Sequence, residues 1–177
     1  MGKIEKAKTD DLGVKVSGSA QTGHTIELAY DSALCGIFGT SDETLSKALL
    51  GHCLKPLSDG EASDEKPGND QRTFMLSVIR DIAPHDAIER MLAVQMAATH
   101  VATIRAAGWL SRAENLAQGQ THSTAYAKLA RTFAAQVEAL RKHRTGGEQR
   151  VTVQHVNVSD GGQAIVGNVK AGGVVNE

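Results

Sequence analysis

Pro84-His-Asp-Ala-Ile-Glu-Arg-Met-Leu-Ala-Val-Gln-Met-Ala-Ala-Thr-His100 opens a block that runs to Arg144 and reads as two helices joined by a short break. Proline suits a first helical turn, where its missing N–H is not needed. Asp86 and Glu89 then place negative charge at the positive end of the helix dipole, so a helix is expected to start near Pro84. Ile88, Met91, Leu92, Gln95, Met96 and Thr99 recur at three- and four-residue steps, with Ala87, Ala93, Ala97, Ala98, Ala102, Ala106 and Ala107 supplying helix propensity between them. Alanines keep that face shallow and let a neighbour approach closely, as in the central helix of a bundle. Gly108 weakens the helix near its end, and Gly119-Gln-Thr-His-Ser123 reads as the break, with Thr121 or Ser123 as the next N-cap.

The second helix carries a narrower seam. Tyr126, Leu129, Phe133, Val137 and Leu140 keep the alternating three-four spacing of a face turned to one partner. Such a seam serves an antiparallel hairpin with the first helix, or self-association. Gly146-Gly147 follows as a left-handed stop, with Arg141, Lys142 and Arg144 at the negative end of the dipole.

Upstream, residues 1–24 read as a mobile arm admitting a short strand at Val14–Ser17, and residues 25–57 as a short helical segment capped by Thr40 or Ser41 and ended by Pro56. Gly18-Ser-Ala-Gln-Thr-Gly23-His24-Thr25 has the glycine spacing of a phosphate-binding loop. His24 stands where the phosphate-contacting lysine belongs, so a Gly/Ser-rich linker is the preferred reading. Residues 58–70 combine five acids with Pro67, Gly60 and Gly68 and almost no apolar side chain, and read as an acidic flexible linker. A helical core is expected over 71–145, with Asp70 capping its first helix.

Downstream, the period changes from helical to extended. Arg150-Val-Thr-Val-Gln-His-Val-Asn-Val158 alternates β-branched residues, Ser159-Asp-Gly-Gly162 has turn chemistry, and Ala164-Ile-Val-Gly-Asn-Val169 is a second run. A β-hairpin is expected over 146–170, followed by a frayed tail at 171–177. Its pairing residues would be Val151, Val153, Val156, Val158 and Ile165. An isolated hairpin is marginal in water and needs the helices or another chain to support it. The fold class expected is therefore mainly α, a helical bundle or hairpin with a small C-terminal β-hairpin.

The strings Ile82–His100, Leu129–His143, Arg144–Val158 and Gly161–Val169 together resemble an uncharacterised family of short proteobacterial proteins over roughly the second half of the chain. The resemblance implies that the unit from helical pair to hairpin is one module. It brings no activity, ligand or catalytic residue with it.

Composition narrows the function classes. The chain has 177 residues, a net charge of -1 and a pI near 6.7, which gives no global attraction to nucleic acid or to a membrane surface. Aromatic residues make up only 3%, so the core must be aliphatic and closely packed. No leader-like apolar segment and no spanning run is present, and a cytoplasmic protein is expected. Cys35 and Cys53 form neither a disulfide framework nor a zinc pattern and are read as buried hydrophobes. The histidines lack metal-ligand spacing, and no serine sits in a nucleophile elbow. No catalytic residue, metal or cofactor is assigned.

The leading expectation is a non-enzymatic interaction module acting by self-association or by binding a protein partner. The rival is a nucleic-acid-binding protein in which Lys128, Arg131, Arg141, Lys142, Arg144 and Arg150 contact phosphates. A basic helix end is also what dipole complementarity alone produces.

Overall fold

In the computed structural model, residues 12–19, 21, 23–58 and 70–146 are described. The chain there is mainly helical, with a small two-stranded antiparallel sheet at its N-terminal side. β1 (Val14–Ser19) pairs with β2 (Gly23–Leu28), from Val14 opposite Leu28 to Ser19 opposite Gly23. The Gly18 and Gly23 spacing belongs to the corner of this hairpin. Gly18 has φ +83°, and a Cβ there would run into the Gly23 carbonyl, so glycine is required for the turn.

The hairpin expected at Val151–Val169 lies outside the described residues. The hairpin that is described stands at the other end of the chain, where only a short strand was anticipated. Val14, Val16 and Leu28 turn toward the core from strands that look polar, and Gly-rich chemistry at the turn masked their pairing.

Five helices follow: α1 (Ala33–Phe38), α2 (Glu43–Leu54), α3 (Gln71–Ile82), α4 (Ala87–Ser111) and α5 (Leu116–Arg144). Four begin on a side-chain cap, which satisfies an otherwise orphaned N–H. Asp42 accepts from Leu45 N at 3.0 Å, Asp70 from Arg72 N at 3.0 Å, Asp86 from Glu89 N at 2.9 Å and Asn115 from Gln118 N at 2.9 Å.

Three expected boundaries are corrected by these caps, the first being that Asp42, and not Thr40 or Ser41, caps α2. α4 starts at Ala87 and not at Pro84: Ala83 ends α3 in the left-handed region at φ 50°, and the buried Pro84 makes the corner before Asp86 caps the next helix. The break between α4 and α5 falls at 112–115 rather than at Gly119–Ser123. Asn115 is the cap used, and α5 absorbs Gly119 while the Thr121 hydroxyl donates to the Ala117 carbonyl at 2.9 Å.

The core lies where α1, α2, α3 and the first half of α4 meet. Phe38, Leu34, Ile37, Leu50, Met75, Leu76 and Ile79 pack around Ala93, Ala97 and Val101 of α4. Burying each of the larger side chains is worth about 2 kcal/mol. Ala93 and Ala97 of α4 are buried there, and small side chains at such positions let neighbouring helices approach closely. Arg72 fastens β1 to this core: it is buried, donates Nη1 to the Gly18 carbonyl at 2.7 Å, and pairs through Nε with Asp70 at 2.7 Å.

α5 folds back antiparallel along α4. Trp109 and His122 have ring centroids 5.7 Å apart, His100 and Phe133 5.9 Å, and Arg144 Nη2 lies 2.9 Å from Glu89, so partners on α5 climb as those on α4 descend.

Candidate interaction surface

The end of the α4–α5 pair away from its 112–115 turn is a charge clamp. Glu89, almost fully buried, receives Arg144 Nη2 at 2.9 Å and Nε at 3.2 Å, and also accepts from the His85 backbone N–H at 3.0 Å. Arg144 Nη2 donates as well to the Ile82 carbonyl at 2.7 Å, joining the ends of α3 and α5. His143 Nε2 lies 2.7 Å from Asp86 Oδ2. The Arg144 guanidinium holds the Glu89 carboxyl down at about 2, and the capped Glu89 N–H, with His143 beside it, lowers Asp86 too. Two carboxylates at a helix start therefore face Arg144 and His143 at the end of its antiparallel neighbour.

Asp86, Glu89 and His143 bring ligand-type atoms within 4.8 Å of one another. The donor set does not suit a metal ion. Both Glu89 oxygens are already taken by the fixed cation Arg144, which a metal would have to displace against charge repulsion. Burial pushes the Cys53 thiol up to about 12, which disfavours the reactive thiolate.

An apolar face runs along the open side of the helices. His100 of α4 sits between Phe74 of α3 and Phe133 of α5, with ring centroids 5.4 Å and 5.9 Å away. Ile104 follows one turn beyond His100 on α4, and Tyr126 and Val137 lie two turns before and one turn after Phe133 on α5. Phe74 is 37% exposed, Ile104 55%, Tyr126 41% and Val137 43%, so the face is only partly covered by its own neighbours.

The seam Tyr126, Leu129, Phe133, Val137, Leu140 is thus divided. Leu140 is buried and Leu129 and Phe133 are half-buried on the α4 side, while Tyr126 and Val137 stand at the exposed edge. The contributions of Phe74, His100 and Ile104 were missed in the sequence, because they come from two other helices and only the hairpin places them beside Phe133.

The basic residues are dispersed rather than pooled. Arg141 donates Nε and Nη2 to Glu138 at 2.7 and 2.8 Å, Lys142 lies 3.7 Å from the same carboxylate, and Arg144 belongs to the clamp. Lys128 and Arg131 are exposed and make no ion pair among the described residues. Arg150 and the strand residues Val151, Val153, Val156, Val158 and Ile165 lie outside the described residues.

Among the described residues no helix is long and apolar enough to cross a membrane. No family model, no curated protein and no solved structure matches the chain.

Proposed function

We propose that the chain is a non-enzymatic interaction module that acts by self-association, or by binding a protein partner, through the apolar face across α3, α4 and α5. The observation that carries this reading is the ladder Phe74–His100–Phe133 with Ile104, Tyr126 and Val137 exposed beside it. Three helices contribute to one surface, and its aromatic and aliphatic side chains are held by a rigid scaffold, as interface anchors are. The dispersed pairing of Arg141, Lys142 and Arg144 with carboxylates leaves less free positive charge for phosphates, so the nucleic-acid alternative gains no support from the geometry.

The test is the solution mass of the full-length chain by light scattering across a concentration series, with I104E/V137E alongside. The expected outcome is a mass above the 18.7 kDa monomer for the native chain that falls to the monomer in the variant, with unchanged helical signal. High salt should leave the assembly intact, because apolar contacts are little screened. A native chain that stays monomeric at every concentration removes the self-association reading.

A further inference from the structure

A second open feature lies on the other side of α4. Leu49, His52, Lys55 and Pro56 of α2 and its end, with Met91, Val94, Gln95 and Ala98 of α4, enclose a groove of about 560 Å³. Leu49 and Val94 are buried and form its floor, and Met91, 50% exposed, forms a flexible wall. We propose that this groove binds a small amphiphilic carboxylate, an aliphatic or aryl chain ending in one negative charge.

Size selects a small molecule. The lining runs from Met91 to Ala98 along α4, seven helical steps or about 10 Å at the helical rise. A volume of a few hundred cubic ångströms with a mostly apolar lining and few polar groups is the usual form of a small-ligand site, whereas a stable protein contact needs a far longer surface.

Charge selects the head group. His52 and Lys55 stand exposed at the rim without an ion pair among the described residues, and no carboxylate lines the groove. A cation at the end of a helix often serves only the dipole. Here the Lys55 ammonium makes no ion pair among the described residues, and Arg105, whose Nη2 donates to the Pro56 carbonyl at 2.7 Å just past α2, adds a second positive charge near that end. One lysine with the His52 ring and the Gln95 amide beside it matches a monoanion better than a phosphate dianion. The apolar tail lies over Leu49 and Val94 against Met91, and the carboxylate meets Lys55. This site is separate from the face across α3, α4 and α5, and does not depend on it.

Titration calorimetry of the full-length chain with octanoate and with octanol at neutral pH and low salt tests the site, together with amide chemical-shift mapping. Octanoate should bind saturably at one site, tighter than octanol, with shifts at Leu49, Val94 and Ala98. K55Q should weaken octanoate about tenfold and leave octanol unchanged, the size of a lost charge-assisted hydrogen bond. M91D, at an exposed position, should weaken both. Absence of saturable octanoate binding, equal binding of octanol, indifference to K55Q, or shifts centred on Phe74 and Phe133 instead would each overturn the proposal, and the mapping on the native chain stands even if a variant misfolds.

Discussion

Between Ala87 and Ala106 the helix α4 buries seven side chains, Glu89, Ala93, Val94, Met96, Ala97, Val101 and Ala106, while from Ala107 to Ala139 no residue of the same hairpin is buried. Apart from the turn at 112–115, both regions are regular helix rich in alanine. The first is held by α1, α2 and α3 around it, and the second by its propensity and by one neighbour. Cooperative stability therefore resides in the anchor. The arm beyond it buries less, so its local opening costs less than opening of the anchor.

The strongest way to break this division is to hollow the anchor. Phe38 is 0% exposed at the end of α1, inside the cluster with Leu50, Met75 and Ile79. Phe38→Ala should cost about 4 kcal/mol in denaturant unfolding, from lost burial and the cavity left behind. A loss below about 1 kcal/mol would mean that stability is shared with the arm.

Arg72→Ala comes next. It removes a buried guanidinium that ties Asp70 to the Gly18 carbonyl, and leaves the Asp70 carboxylate and that carbonyl without their shared donor. A loss of about 3 kcal/mol is expected. Amide exchange should rise first in β1 and β2, since Arg72 is their side-chain link to α3, and protection in α5 should stay as it was.

How much of this was legible differs between the two regions for a physical reason. The acid-rich start near Asp86, the basic end at Arg141–Arg144 and the seam from Tyr126 to Leu140 are local patterns, and each was readable from spacing and dipole complementarity. Their meeting in a clamp follows once the helices are antiparallel. The corner at Ala83-Pro84 was not readable, because proline fits both a first helical turn and the bend before one, and the choice is made by Gly39. That residue turns α1 off at φ 60° so tightly that a Cβ would strike the Pro84 carbonyl. The Asn115 cap lost to Thr121 and Ser123 in the sequence because Gly119 looks like a stop, yet a glycine inside a 29-residue helix costs only about 1 kcal/mol. The apolar face was half legible: its α5 edge has periodicity, while Phe74, His100 and Ile104 converge only through tertiary contact.

The clamp sharpens the comparison, since it fastens the end of α5 to the end of α3 and the start of α4. Glu89→Gln should cost about 2 kcal/mol by weakening a charge-assisted pair with Arg144. Acid distinguishes it from a packing defect. The Glu89 pKa is depressed in the folded state, so its contribution is fully present above the ordinary carboxyl value near 4.5 and is lost as pH falls toward about 2. The native chain should lose stability across that interval, and Glu89→Gln should lose correspondingly less. Equal acid sensitivity in the two chains would show that the pair does not fasten the arm.

The smallest expected effect is at Val137, one turn before the buried Leu140 on the same helix. Val137 is 43% exposed, and serine has a similar helix propensity, so Val137→Ser should change unfolding free energy by no more than about 0.5 kcal/mol. Leu140, 8% exposed at the clamp end, serves as the inner reference on that helix. If the face works as proposed, the same Val137→Ser chain should associate less readily at matched concentration while unfolding like the native protein. A residue that is nearly silent in stability but audible in solution mass has no task inside its own fold, and its apolar surface is then accounted for by what it meets outside.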